Sequence, residues 1–305
     1  MRRLVVTYTP DDWWRTAPSF LPHGLGRAYR VWSRVCRRRR IQLYRASVGW
    51  YQAGHFTKYW RARADGTWEK VRRPLVPQLV YDKTEDIDAR GNPVPWVRAR
   101  RQDIARRHPM FNTPEFTNLL DNKLYQAVAF REFMPRSWLV ERGTTIHNPL
   151  GRTMVIKRFF GQGGSYVTIT RARRFTVAQD SLRQDFVPAT RAGLLKDVRI
   201  VFIGTQPQYA FHRVAKAGSL LTNVHQGGVV EMVPLRAVRT VLRATQPILA
   251  KLAPFPKKLF ALDFLVHARR RHPYLIETNT VPGTDGFSEE LLERLYSNLT
   301  DHFFT

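Results

Sequence analysis

Two stretches of the sequence combine the residue types that handle phosphate and metal. The first runs Val155-Ile156-Lys157-Arg158-Phe159-Phe160-Gly161-Gln162-Gly163-Gly164-Ser165-Tyr166-Val167. An apolar strand ends in Lys157, a loop carrying Gly161, Gly163, Gly164 and Ser165 follows, and a second strand begins. Glycines let main-chain N–H groups approach a polyphosphate closely, and a lysine adds a point charge. No Gly-Lys-Ser/Thr follows the loop, and the next element is a strand, so neither a Walker loop nor a dinucleotide fingerprint is present. Taken alone, the stretch reads equally as an ordinary hairpin with a glycine turn.

The second stretch is Ala261-Leu262-Asp263-Phe264-Leu265, a polar turn over 267–273, then Leu275-Ile276-Glu277-Thr278-Asn279. A hairpin centred on Arg270 sets Asp263 opposite Glu277, and Asn279 shares that face two residues on. Two carboxylates and an amide oxygen form a hard-oxygen set suited to Mg²⁺ or Mn²⁺. The plainer alternative is a pair of solvent-facing acids on an edge hairpin, and the apolar character of both strands argues against it. Between these stretches lie Arg183-Gln184-Asp185-Phe186-Val187, Asp197-Val198-Arg199, Arg213 and Thr222-Asn223-Val224-His225-Gln226-Gly227-Gly228. None of these carries a role in isolation; their order between a phosphate loop and an acid hairpin gives them weight.

The elements that must position these residues are legible in outline. Strands are expected at 4–8, 41–48, 55–61, 68–71 and 77–82, with a helix at 25–38 and a turn at Asp65-Gly66. Segment 84–111, with Gly91, Pro93 and Pro95, reads as a connecting loop. Asn112-Thr113-Pro114 starts a helix with Thr113 as N-cap, and Asp121 is expected to cap a second helix running to about 133. Further strands are expected near 154–157, 166–169, 185–187, 198–203, 208–211, 262–266 and 274–277. A final helix follows Ser288, with Glu289 and Glu290 in its first turn. The fold class is α+β, with an α/β N-terminal unit, in three parts: a basic domain over 1–111, a subdomain with the glycine loop over 112–190, and one with the acid hairpin over 191–305.

Composition bounds the remaining possibilities. The 305 residues are 43% hydrophobic, enough to bury a core. A single cysteine, Cys36, excludes an intramolecular disulfide framework and any Cys-based zinc cluster, and reads as a packing residue. No run of about 18 apolar residues suggests a membrane span, so a cytoplasmic chain is expected. The net charge is +26, and residues 1–110 hold 24 basic against 9 acidic side chains. Such a field attracts polyanions: acidic peptides, phosphorylated small molecules or nucleic acid, although no nucleic-acid motif is present. Arg27, Arg30, Arg34 and Arg37 share one helical face, which reads either as solvated or, with Arg38, Arg39 and Arg40, as an anion-docking face. Most of the tryptophans crowding the first third read as packing residues.

Taken in order, the segments from 112 to 286 resemble the ATP-grasp superfamily of carboxylate–amine ligases, nearest to the branch of ribosomal-protein S6 glutamate ligases and related peptide ligases. Lys123 and Lys157 with Gly161, Gly163, Gly164 and Ser165 are similar to the family's phosphate-binding lysines and glycine loop. Gln184, Asp185, Phe186 and Val187 resemble its adenine hinge, with Asp185 in place of the usual Glu. Asp197-Val198-Arg199, Arg213, Asn223 and Gly227-Gly228 resemble its later motifs, and Asp263, Glu277 and Asn279 its metal set.

The resemblance implies an ATP-grasp fold of two α+β subdomains gripping ATP, preceded by a pre-ATP-grasp domain. It implies ATP and Mg²⁺ (or Mn²⁺) as cofactors and an acyl-phosphate route to an amide or peptide bond. Asp197 would bind the ribose hydroxyls, Asn223 the nucleotide, and Arg199 and Arg213 the charge that develops in the transition state; no general base is identified. The carboxylate and amine substrates would include an anionic small molecule, an acidic peptide or a protein tail. Alternatives are phosphoryl transfer without ligation, or a basic nucleic-acid-binding module without turnover.

Overall fold

In the computed structural model, which describes all residues except 19–24, 89–91, 161–165, 192–193, 221, 223–226, 285–286 and 305, the chain divides into two compact units. One comprises Met1–Phe116, Pro256–Leu259 and Val281–Thr305, the other Thr117–Phe255 and Phe260–Thr280. The C-terminal helix thus folds with the N-terminal unit.

The first unit contains β1 (Arg2–Tyr8), α1 (Leu25–Arg38), β2 (Ile41–Ser47), β3 (Tyr51–Gln52), β4 (His55–Phe56), β5 (Tyr59–Ala62), β6 (Trp68–Val71), β7 (Leu79–Asp82), α2 (Pro95–Arg107) and β8 (Met110–Phe111). Its main sheet has the order β6-β5-β2-β1-β7-β8. β1 runs parallel to both β2 and β7, and β8 parallel to β7. Leu4, Val5 and Val6 of β1 are all fully buried, as a parallel strand covered on both faces requires. β5 and β6 add an antiparallel edge, turned by Asp65, which accepts from Thr67 N, and by Gly66 at φ +83°.

Helix α1 buries Ala28, Tyr29, Val31, Trp32, Val35 and Cys36. Trp32 stacks on Tyr296 of the C-terminal helix (Glu289–Phe304), centroids 4.9 Å apart, and donates to Thr300 Oγ1 at 3.2 Å. The basic face is spent largely inside this unit. Arg34 pairs with Glu289, Arg38 with Glu293 and Arg39 with Asp301, and Arg27 donates to the Phe287 carbonyl. Arg34, Arg38 and Arg39 thus knit α1 to an acidic helix from the far end of the chain, while Arg34 and Arg38 keep about half of their side chains in solvent. Burial pushes the Cys36 thiol up to about 12, in keeping with an inert packing role.

The expected connecting loop at 84–111 is instead helix α2 and strand β8. Pro95 sits in the first turn, where proline's missing N–H costs nothing, and Val97, Arg101 and Ile104 recur on one buried face. Arg101 donates to Asp82 Oδ2 at 2.7 Å inside the unit.

The second unit holds most of α3 (Pro114–Asp121), then α4 (Lys123–Ala129), β9 (Ser137–Val140), β10 (Thr145–His147), β11 (Met154–Arg158), β12 (Val167–Thr170), β13 (Arg174–Thr176) and β14 (Ser181–Asp185). It continues with β15 (Thr190–Arg191), β16 (Leu194–Ile203), β17 (Gln206–Val214), β18 (Val229–Val233), α5 (Arg239–Lys251), β19 (Leu259–Val266) and β20 (Pro273–Asn279). A four-stranded sheet β12-β11-β14-β9 and a larger sheet β18-β17-β16-β19-β20 frame it, with β15 pairing β16. Asn122, not Asp121, caps α4, accepting from Leu124 N at 2.9 Å. Asp121 closes α3 and accepts from Thr280 N and Oγ1. Helix α4 stops at Ala129, short of 133. Helix α5 was not expected from sequence: Pro247 lies inside it, while Val241, Thr245, Ile248 and Leu249 still face inward.

Trp32 anchors the α1 packing, so Trp32→Ala is expected to cost about 3–5 kcal/mol in denaturant unfolding. Arg38→Glu is expected to shift the midpoint far less, with a shift that shrinks as salt is raised, because its partner is exposed.

Candidate active site

Strand β16 is ten residues long and presents Asp197 and Arg199 on one face, two residues apart. Its partner β17 sets Arg213 opposite Asp197. That pairing depends on a bulge. Next to the turn at Gly204-Thr205, Ile203 faces Gln206, a register that would bring His212 opposite Asp197. The irregularity beside Val201 and Phe202 adds one residue to β17 and turns Arg213 onto the acidic face.

The result is a closed charge network. Arg213 Nε lies 3.0 Å from Asp197 Oδ1, and Arg213 Nη2 lies 2.5 Å from Asp197 Oδ2 and 2.7 Å from Asp263 Oδ2. Arg199 forks onto Asp263, Nε to Oδ1 and Nη2 to Oδ2, both at 2.6 Å. Thr222 Oγ1 also donates to Asp197 Oδ2. Asp197 and Asp263 are both fully buried. Burial alone would raise the Asp263 carboxyl, yet Arg199 and Arg213 hold it below the usual carboxylate range. Burial likewise works against the charge of Arg213, but Asp263 and Asp197 push its pKa up. Removing one member of such a network leaves a buried charge unpaired, typically at about 3–5 kcal/mol.

Asp197 was expected on ribose hydroxyls. Its carboxylate is instead enclosed, and it holds Arg213 and Thr222. The physical reason is register: a mid-strand acid facing an arginine across the ladder forms the ion pair first.

On the same sheet, β19 and β20 pair with Asp263 opposite Glu277 and Ala261 opposite Asn279. A second bulge carries this alignment. Nearer the turn, Phe264 faces Leu275, a register that would put Ile276 against Asp263. Ile276 is the extra residue, and its carbonyl accepts from Lys157 Nζ at 2.9 Å. Lys123 Nζ lies 3.2 Å from Glu277 Oε1. Both lysines are buried, and Glu277 keeps partial exposure. Burial pushes Lys157 down to about 8 from its ordinary 10.5; Glu277 and Asp263 oppose the shift, and the neighbouring Lys123 adds to it. Charging this lysine therefore costs roughly 3 kcal/mol more than in water, which a bound anion would repay.

Helix α4 and strand β20 are tied together around these side chains. Gln126 donates to the Leu120 carbonyl and accepts from Thr278 N, and Thr278 Oγ1 donates to the same carbonyl. Lys123 N donates to the Phe159 carbonyl, at the entry to the glycine loop. Gly161, Gly163, Gly164 and Ser165 themselves lie outside the described residues, as does Asn223. Gln126 and Thr280 draw no expectation from sequence, and Thr278 and Thr222 stand in the quoted stretches without a role. No spacing signal marks them, because their contacts are set by tertiary packing.

Gln184 is buried in β14, its amide donating to Ser137 Oγ at 3.0 Å. Asp185 N–H donates to the Arg136 carbonyl. The main-chain N–H groups of Phe186 and Val187 donate to no carbonyl among the described residues. The expected strand at 185–187 ends at Asp185.

Asp263, Glu277 and Asn279 offer hard oxygen donors on one face of the hairpin. A carboxylate has about four acceptor positions, and the arginines take three on Asp263, leaving one for a metal. The donor set therefore fits Mg²⁺. Lys123, Lys157, Arg199 and Arg213 face Asp197, Asp263 and Glu277, so the site carries one cation in excess and favours an anion.

No curated protein matches the chain in sequence. Solved structures do match it in fold. The D-cycloserine synthetase DcsG superposes with a TM-score of 0.61 at 14% identity, over 98% of this chain and 99% of that one. A RimK-domain ATP-grasp protein from Sphaerobacter thermophilus gives 0.58 at 11% identity, over 99% and 100%. The ATP-grasp ligase PsnB, complexed with a minimal precursor, Mg and ADP, gives 0.54 at 14% identity, over 99% and 98%. These likenesses establish the ATP-grasp fold. No described helix is long and apolar enough to cross a membrane. The sequence profile of the RimK-like ATP-grasp domain matches residues 140–300, more than half of the chain, and the chain therefore belongs to the RimK-like ATP-grasp family of ATP-dependent ligases.

Proposed function

We propose that the second unit joins a substrate carboxylate to an amine at the expense of ATP and Mg²⁺. The observation that carries this reading is the convergence of Lys123, Lys157 and Glu277 beside the buried Asp263–Arg199–Arg213 network. Lys123 and Lys157 neutralise the phosphates. Asp263, Glu277 and Asn279 hold Mg²⁺, which supplies charge neutralisation at the phosphate oxygens. Phe186 and Val187 offer their N–H groups to the adenine edge, with Gln184 and Asp185 shaping the segment behind them. The motif resemblance assigns Gly161, Gly163, Gly164 and Ser165 to the phosphates and Asn223 to the nucleotide.

In this reading a carboxylate oxygen attacks the γ-phosphorus, the bond to the β-bridging oxygen breaks, and ADP leaves. The amine then attacks the acyl carbon, inorganic phosphate departs, and the amine's proton passes to solvent. Arg199 and Arg213 stabilise the charge that develops on the acyl oxygens, and Asp197 positions Arg213. Such chemistry asks for placement and charge stabilisation rather than a protein nucleophile. An acidic peptide is the favoured carboxylate substrate. PsnB has been solved with a precursor peptide, and the net positive charge of this chain suits a carboxylate-rich partner.

Glu277→Gln is expected to lower ADP formation by at least about a hundredfold while leaving the protein folded. Unimpaired turnover would contradict the metal assignment. Product analysis by mass spectrometry is expected to yield ADP, phosphate and a new amide; a stable phosphorylated substrate would favour phosphoryl transfer instead.

The lowered Lys157 pKa gives a second test. A bound triphosphate raises that pKa, so the sign is proton uptake on binding above about pH 8 and none near pH 7, where the lysine is already charged. Calorimetry of ATP binding at pH about 9, in buffers of different ionisation enthalpy, is expected to detect this uptake in the wild type and lose it in Lys157→Arg.

A further inference from the structure

Three cations crowd one indole in the first unit. Lys58 Nζ lies 5.3 Å from the Trp13 ring centroid and 4.9 Å from that of Trp50. Lys70 Nζ lies 5.5 Å from Trp13 and 5.4 Å from Trp60, and the Arg72 guanidinium carbon 5.9 Å from Trp13. The indoles pack on one another, Trp13 to Trp50 at 5.3 Å and Trp13 to Trp60 at 5.6 Å. Trp50 and Trp60 are buried, and Trp13 is half-buried.

The carboxylates nearby leave this charge largely unmatched. Asp11 pairs with Lys58 at 3.4 Å. Asp12 is turned inward and buried, accepting from Tyr8 Oη at 2.6 Å and Trp60 Nε1 at 3.0 Å. Lys70 and Arg72 are exposed and reach no carboxylate among the described residues. Cations held this close repel one another, and an arriving polyanion relieves that repulsion.

The place in the fold points the same way. Trp13 follows the end of β1, and Trp50 follows the end of β2. β6 runs in the direction of β2, because both are antiparallel to β5, so Lys70 and Arg72 reach the same carboxyl edge. β1 has β2 on one side and β7 on the other, which is where the strand order reverses. In sheets of this kind, ligands bind outside the carboxyl ends of the strands at that reversal. None of these residues lies within the 140–300 family match.

We propose that the Trp13–Lys58–Lys70–Arg72 cluster is a docking surface for an acidic peptide, whose carboxylates are taken by Lys70 and Arg72. The choice of carboxylate over phosphate rests on the ligase reading above. RNA is disfavoured by geometry: the Trp13 ring is already met by three cations and two indoles, which leaves little ring face for the base stacking that single strands use.

The test is fluorescence anisotropy with a labelled decaglutamate peptide, a neutral Gly-Ser peptide and a labelled decauridine RNA, each against wild-type protein and Lys70→Glu/Arg72→Glu. Decaglutamate is expected to bind the wild type in preference to both other probes, and about tenfold or more weakly to the double variant, with ATP affinity unchanged. A Lys70→Arg/Arg72→Lys swap, which keeps both charges, is expected to retain most of the binding. Equal affinity of the charge-reversed protein, wild-type binding no tighter than to the neutral peptide, or tighter binding to the RNA would each overturn the proposal. Loss of ATP binding or turnover in an otherwise peptide-binding wild type would count against the ligase reading alone.

Discussion

Asp263 sits fully enclosed between two guanidiniums, and much of the second unit is arranged around that fact. A carboxylate taken out of water is costly, and only the fork of Arg199 and the reach of Arg213 make it tolerable. Arg213 can serve because Asp197, which also accepts from Thr222, holds its other side. The network is neutral as a set, so the neighbouring Lys123, Lys157 and Glu277 decide the site's residual charge. That residual charge is positive, and burial, more than the neighbouring Lys123, depresses the pKa of Lys157 against the pull of Glu277 and Asp263.

Two strand irregularities produce this arrangement. One extra residue in β17 and one in β20 each move a charged side chain onto the common face. Without them, His212 and Ile276 would stand where Arg213 and Glu277 stand. The second bulge also presents the Ile276 carbonyl to Lys157, so a single backbone feature aligns an acid and anchors a lysine. Around it, Gln126, Leu120 and Thr278 lock α4 to β20, fixing Lys123 against Glu277.

How much of this was legible beforehand varies by residue. The pairing of Asp263 with Glu277 was anticipated from a hairpin centred on Arg270, but the ladder nearest the turn is centred half a residue earlier. The bulge at Ile276 restores the expected partner, and no simple pattern announces such a bulge. The Asp197–Arg213 pair is hidden for the same reason; the ribose role expected of Asp197 rested on the family resemblance alone. Helix α2 lies in a segment that Gly91, Pro93 and Pro95 mark as a loop, and α5, which carries Pro247, drew no expectation from sequence. Pro95 falls in a first turn that tolerates it, and Pro247 is carried by a helix whose inward face is otherwise intact. The arginine face of α1 had the right periodicity. Its partners, however, lie more than 250 residues away in the C-terminal helix, beyond the reach of any local reading.

The most direct test of the central claim is a high-resolution structure of the chain with Mg²⁺ and a non-hydrolysable ATP analogue. The metal is expected against Asp263, Glu277 and Asn279, with phosphate oxygens in reach of Lys123 and Lys157 while Arg213 stays paired with Asp197. A triphosphate bound elsewhere, or a metal that leaves Glu277 on Lys123 and ignores the hairpin, would contradict the claim.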